Sequence, residues 1–459
     1  MPTRPHCLDT CCQRFPALLL ALVSLGCAHR ISEAKPSTST AAQRLDAYVA
    51  PLIATHEFSG SVLVRRGRDT LAARSYGMAN REFAVPTDMD TRYLIGSISK
   101  QFTAAAILAL EGQGRLSLDD RLSRFIPNFP SGDSITLRQM LVHRSGISRD
   151  ITDIRDNALP HSAAELAEII RQLPLSFAPG TQDGYSNNAY RVLAFVIERT
   201  SGQSYEQYLR QTLFAPLGMT HTGEVASLLL IPRLASGYSP GFGADGFAPA
   251  AYVDITNSRG SGSLYSTVGD LDIWITRFLR DGAILPAVRD KMLAGDGIGV
   301  GVRTVQGRRV IGHDGVYQGY TGFIKFFPAE DLAVIYLGNT ETAASENSFQ
   351  SALQAIALGE AVPPFPLRAR GATAPTLPLD DYVGRFNFFP GFTVTIRRMG
   401  SYAVLTAGQG DSPLEWLGRD TAFFRLKYAD IRFQRGSDGR VTGLEWLEAG
   451  HTYPAKRVD

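Results

Sequence analysis

Gly96-Ser97-Ile98-Ser99-Lys100-Gln101-Phe102-Thr103-Ala104-Ala105-Ala106-Ile107-Leu108-Ala109-Leu110 is the stretch on which the fold turns. Its later part is rich in Ala, Leu and Ile, good helix formers apart from Ile, and Gly112 and Gly114 follow as stop signals. A helix that starts near Ser97 puts positions i and i+3 on one face, so Ser97 and Lys100 point the same way. The N-terminus of such a helix adds unpaired N–H groups and a partial positive charge beside the serine oxygen. A hydroxyl next to an amine that can lose its proton makes an activated nucleophile. Ser-x-x-Lys alone also arises by chance in long chains, so its meaning depends on what the other residues supply.

Lysine usage adds weight. Lys35, Lys100, Lys291, Lys325, Lys427 and Lys456 are the only lysines, and arginine does nearly all other basic work. Arginine keeps its proton in proteins, whereas burial brings a lysine down into a working range. A chain that avoids lysine yet places one three residues after a helix-start serine points to chemistry; the plain alternative is a surface charge.

Working outward, 459 residues suffice for two or three domains and a large core, and a net charge of +2 argues against a nucleic-acid binder. Cys7, Cys11, Cys12 and Cys27 are the only cysteines, so the body of the chain has neither a disulfide framework nor a cysteine metal site. Arg4 and Arg14 precede an apolar run over 15–23, too short for a mature membrane span. Ser24-Leu25-Gly26-Cys27 resembles a lipobox, whose cysteine is lipidated, although Ser24 stands where an apolar residue is usual. The head therefore reads first as a lipoprotein signal over 1–26, then as an ordinary cleaved signal, and last as a buried helix. A polar tether over 27–41 follows.

The spacing predicts a helix over 44–53, strands over 60–65 and 69–74, a mostly helical stretch over 116–293, and helices over 135–141 and 189–200. Strands return over 302–305, 309–313, 322–327 and 332–337, and a helix over 345–358 closes the region. Hairpins at both ends with helices between them imply an α+β fold: an antiparallel sheet, assembled from distant segments, flanked by helices and carrying a large helical insertion. The expected hydrolase domain is 42–361. A Pro-rich linker over 362–377 leads to a small all-β domain over 378–459, a barrel or half-barrel of short alternating strands.

Two further groups carry chemistry. In Asp183-Gly184-Tyr185-Ser186-Asn187-Asn188, Tyr185 and Asn187 both reach a cleft if the loop is extended. A phenol titrates near ~10, so it serves as a base only if cations such as Lys100 stabilise the phenolate. The bland alternative is that this tripeptide caps the next helix. In Ile311-Gly312-His313-Asp314-Gly315-Val316, glycine lets the backbone approach a ligand, and strand N–H groups can supply half an oxyanion hole with the N–H of Ser97. An isolated His313 reads as structural.

In this order, Ser-x-x-Lys, Tyr-x-Asn and His-x-Gly resemble the penicillin-recognising serine hydrolases: class C β-lactamases, D-alanyl-D-alanine carboxypeptidases, D-aminopeptidases and β-lactamase-like esterases. Residues 139–147, 177–180, 216–219 and 262–271 carry supporting phrases, and the likeness covers about 45–359. It implies a β-lactamase/transpeptidase-like fold and an acyl-enzyme on Ser97. Lys100 and Tyr185 shuttle the proton, Asn187 holds the substrate amide, and the N–H groups of Ser97 and Val316 bind the oxyanion. No cofactor or metal is implied. His313 stands where many relatives have lysine, so at ~6.5 it supplies only part of a charge for a substrate carboxylate. Asp314 should face away from it. The expected partners are a small-molecule or peptide substrate and, through Cys27, the membrane. The expected place is the bacterial cell envelope or periplasm. The leading expectation is an exported amide hydrolase of peptidase type, with a carboxylesterase or a silent penicillin-binding sensor as alternatives.

Overall fold

The computed structural model describes residues 39–459 except 152–157, 226–228, 243–245, 343–346, 369–370, 372–374, 376, 390–391, 408–409 and 449. The signal, most of the tether and Cys27 lie outside the described residues. Helix α1 (Ala41–Ala54) opens the described chain, capped by Thr40, whose side chain accepts from the Gln43 N–H while Gln43 reaches back. Its stripe of Leu45, Val49 and Leu52 is buried.

The six strands of the main sheet are β1 (Gly60–Arg66), β2 (Asp69–Tyr76), β3 (Gly301–Val305), β4 (Arg308–Tyr317), β5 (Tyr320–Phe327) and β6 (Leu332–Gly338). Their order is β3-β4-β5-β6-β1-β2, antiparallel throughout. Two distant hairpin sets are thus joined in one sheet, with Gly60 opposite Gly338 and Arg66 opposite Leu332. Alternation along the strands serves two cores. Val62, Val64, Phe323, Val334 and Tyr336 face α1 and the last helix of the domain, α4 (Asn347–Leu358). Leu63, Ile324, Ile335 and Leu337 face the helical block.

At the centre of that block lies α2 (Ser99–Gly112), buried from Ser99 through Leu110. A helix apolar on every side is one enclosed on every side. Trp274 packs on Phe102 with ring centroids 4.5 Å apart and donates to Gln101 Oε1 at 3.1 Å. The α-helix proper begins at Ser99; Gly96–Ile98 is a single 3-10 turn. The predicted helix over 189–200 is α3 (Asn187–Ser201), ended by Gly202 in the left-handed region. The insertion also holds short strands that no periodicity announces, among them Tyr93–Leu94, Gly223–Glu224 and Leu264–Ser266 in one small sheet. Pieces of two or three residues are too short to show a period.

The tail forms a closed eight-stranded barrel from Gly384–Phe389 to His451–Arg457, sealed where Phe386 and Asn387 pair with Arg457 and Lys456. Closure leaves no free sheet edge. Tyr382, Trp416 and Phe433 pack together inside, with centroids 4.5–5.7 Å apart.

Arg425, only 1% exposed, fastens the barrel to the hydrolase domain. Its Nε donates to Glu57 Oε1 at 2.8 Å and its Nη1 to the Gly246 carbonyl at 2.7 Å. Removing one member of a buried pair strands the other's charge. Arg425→Met should therefore destabilise the protein by about 3–5 kcal/mol, and adding Glu57→Leu should recover most of that. Denaturant midpoints of the single and double variants check both expectations.

Candidate active site

Ser97 sits in the 3-10 turn ahead of α2, a placement that needs Gly96 at φ +49°. A side chain at Gly96 would come within 2.6 Å of the Val316 carbonyl oxygen, so only glycine lets β4 pass this close. Lys100 lies one turn on, and its Nζ reaches Ser97 Oγ at 2.9 Å, as the i, i+3 spacing predicts.

Lys100 is fully buried, and its Nζ also donates to Asn187 Oδ1 and the Ser261 carbonyl, both at 2.8 Å. Burial holds its ammonium well below the ordinary lysine range. Arg191 and Arg149 push the same way, and Asp150 opposes them. A neutral amine within reach of a serine hydroxyl can accept its proton.

The Tyr185 hydroxyl donates to Ser97 Oγ at 2.9 Å. Burial pushes this phenol up to about 12, outweighing the Ser97 hydrogen bond and Arg149, which pull it down. A phenolate base, which the sequence allows only where cations stabilise it, is disfavoured by this shift. Lys100 Nζ lies 4.9 Å from the centre of the tyrosine ring, a contact with the ring face. The capping alternative for this segment also holds: Ser186 is the N-cap of α3, accepting from the Ala189 N–H at 2.9 Å. Capping and chemistry share the tripeptide, because the cap fixes the exit angle that presents Tyr185 and Asn187 together.

Asn187 uses both ends of its amide. Oδ1 accepts from Lys100, and Nδ2 donates to both oxygens of Asp150 at 2.9 and 3.0 Å. Asp150 is held in turn by Arg191 Nη1 at 3.0 Å. His143 is a second support, at φ +59°. Its Nδ1 accepts the Ser186 N–H at 3.1 Å and its ring lies 4.4 Å from that of Tyr185, while burial lowers it to about 3 and keeps it neutral. Sequence reasoning assigned neither residue a role. An isolated Asp carries no local signal of what it meets across the fold, and His143 is only one letter of the supporting phrase over 139–147.

On β4, His313 is half-buried, its Nδ1 2.6 Å from the Asp314 carbonyl oxygen. Burial first, and the charge of Lys100 when it is protonated second, lower it to about 4. This shift works against the partial charge expected at pH 7. Among the described residues it makes no hydrogen bond to Ser97, Lys100, Tyr185 or Asn187. Asp314 is tied to Lys325 Nζ at 2.5 Å. Gly315 packs against the turn that carries Ser97, and Val316 lines a cavity of about 170 Å³ beside Ser97 and Asn187.

This fold, with a serine hydroxyl held between a buried amine and a phenol, defines a penicillin-recognising serine hydrolase. The chain belongs to the beta-lactamase family, whose model matches residues 45–359. Penicillin-binding protein 4* of Bacillus subtilis (strain 168) is 27% identical over 419 residues, 83% of this chain and 91% of its own length. PbpX of the same organism is 33% identical over 215 residues, 47% of this chain; the chain spans about half of that relative, 53%. Among solved structures, D-amino acid amidase from Ochrobactrum anthropi SV3 superposes with a TM-score of 0.58 at 23% identity, covering 65% of this chain and 91% of that one. At that identity the likeness is one of fold. No helix among the described residues is long and apolar enough to cross a membrane.

Proposed function

We propose that this protein is an exported serine hydrolase that cleaves an amide, of the D-amino-acid peptide type, through an acyl-enzyme on Ser97. The observation that carries the proposal is the approach of both Lys100 Nζ and Tyr185 OH to Ser97 Oγ at 2.9 Å. Ser97 Oγ attacks the carbonyl carbon and gives its proton to the neutral Lys100 amine. The oxyanion takes hydrogen bonds from the N–H groups of Ser97 and Val316. The C–N bond then breaks, and the Lys100 ammonium returns the proton to the leaving nitrogen by way of the Tyr185 hydroxyl. Water hydrolyses the ester by the same steps in reverse. Asn187, fixed by Asp150, orients the amine. Export to the cell envelope, with lipidation at Cys27, rests on the sequence of the head and agrees with relatives named as penicillin-binding proteins.

A carboxylesterase is the second reading, favoured by the neutral His313, which offers a substrate carboxylate no charge. Intact-protein mass spectrometry after exposure to a fluorophosphonate, and separately to a penicillin, tests the acyl-enzyme. One adduct is expected on the parent protein and none on Ser97→Ala. An adduct that survives in Ser97→Ala would sink the assignment. Rates on D-alanyl peptides against short p-nitrophenyl esters separate the two substrate readings.

A further inference from the structure

The basic side chains around the Ser97 cavity differ in what already holds them. Arg191 is buried, with its guanidinium bonded to Asp150, Asn188 and the Asn257 carbonyl. Lys100 is enclosed by three oxygen acceptors. Lys427 lines the same cavity, is exposed, and makes no side-chain hydrogen bond or ion pair within 4 Å among the described residues. Two of the other described lysines are paired, Lys291 with Glu111 and Lys325 with Asp314.

Lys427 comes from the barrel, in the turn between strands Thr421–Phe424 and Ala429–Arg435. The chain on both sides of it is fixed. Arg425 is locked to Glu57 and Gly246 and lies 4.6 Å over the Phe247 ring. Leu426 is buried and lines the cavity. The Tyr428 hydroxyl donates to the Pro366 carbonyl at 3.1 Å and accepts from the Arg368 N–H at 2.8 Å. A turn anchored on both sides that leaves one ammonium unbonded at the mouth of a nucleophile's cavity is the arrangement of a ligand-binding cation.

The carboxylates nearby do not occupy it. Asp150 is held by Arg191 and Asn187. Glu341 also lines the cavity, but it accepts from Ser239 Oγ at 2.9 Å and lies outside ion-pair distance of Lys427. Burial moves Glu341 towards its neutral form, with Lys427 pulling the other way.

We propose that Lys427 is the anion subsite of the Ser97 cavity, binding a free carboxylate on the substrate. The proposal rests on the hydrolase reading above and sharpens it. In a site whose His313 is uncharged, the barrel supplies the cation, so acidic amide substrates are preferred to neutral ones.

The test compares an acyl-D-alanyl-D-alanine with its C-terminal carboxamide on the full chain, its Lys427→Ala variant and its Lys427→Arg variant. The ratio of kcat/KM for carboxylate over carboxamide should fall about five- to tenfold in Lys427→Ala, through KM, and be largely kept in Lys427→Arg, as for a partly exposed charge pair. Protection of Ser97 from a neutral fluorophosphonate by the same two compounds gives the ratio without turnover. An unchanged ratio in Lys427→Ala, by rate or by protection, overturns the subsite while leaving the nucleophile in place. Absence of Ser97 labelling in the parent protein overturns the hydrolase reading itself.

Discussion

Lys100→Ala should lower kcat/KM by about 10³-fold or more, near the upper range for loss of a positioned general base. The expectation follows from where the amine is held. Its two other partners, Asn187 Oδ1 and the Ser261 carbonyl, point it at Ser97 Oγ, and burial with Arg191 and Arg149 nearby disfavours the ammonium. Lys100→Arg should not rescue activity, because a guanidinium keeps its proton and cannot take that of the serine. The pH dependence has a definite sign. A protonated Lys100 is inactive, so the rate of the parent protein rises with pH through the lowered value of Lys100 and then levels. Tyr185, pushed up to about 12, stays a proton donor across that plateau. The acid limb belongs to Lys100 and should vanish from the residual activity of Lys100→Ala. Single-turnover acylation of each variant by a chromogenic ester between pH 4 and 10 reads both points on the intact protein. Recovery in Lys100→Arg, or an unaltered acid limb in Lys100→Ala, would assign the base elsewhere.

Much of this was legible in the sequence, and the reason is spacing. Ser97 and Lys100 are one turn apart, so local geometry alone sets their contact. Strands β1, β5 and β6 are apolar runs bounded by turn residues, so their hairpins can be read directly, although burial on both faces leaves little alternation to tell one face from the other. What spacing does not encode is distance across the fold. Asp150 becomes the clamp on Asn187, and His143 the shelf under Tyr185, only once the helical insertion folds back over α2. Likewise Arg425 meets Glu57 across 368 positions of chain. Charge states are hidden from the sequence for a related reason. A sequence offers His313 its free-solution value and Tyr185 a cation nearby, but burial moves both further than the neighbours correct. The 3-10 turn at Ser97, expected as the start of an α-helix, follows from a contact with β4 that no local propensity records.

That contact is the basis for the second large effect, expected for Gly315→Ala. An added Cβ would lie 2.1 Å from the Ile95 carbonyl oxygen and 3.2 Å from Ile98 Cγ1. A backbone oxygen cannot swing aside as a side chain would, so the strand must move. Gly96 already meets Val316 from the other side, with its own Cβ position 2.6 Å from the Val316 carbonyl oxygen. The two glycines therefore clasp β4 against the turn that carries the nucleophile, and separating them withdraws the Val316 N–H from Ser97. The loss should approach that of a missing oxyanion donor, about 10²–10³ in kcat. Overpacking should cost a further ~1–3 kcal/mol of stability. Gly269→Ala makes the comparison fair: this glycine lies in the helix Val268–Ile273, and its added methyl meets only Thr267 Oγ1 at 3.7 Å. It should be neutral or slightly stabilising, since alanine favours a helix over glycine by about 1 kcal/mol. Fluorophosphonate labelling rates and thermal midpoints of the two variants separate the site from the scaffold. A Gly315→Ala protein that folds and acylates at the parent rate would mean that the backbone at Val316 has no part in holding the oxyanion.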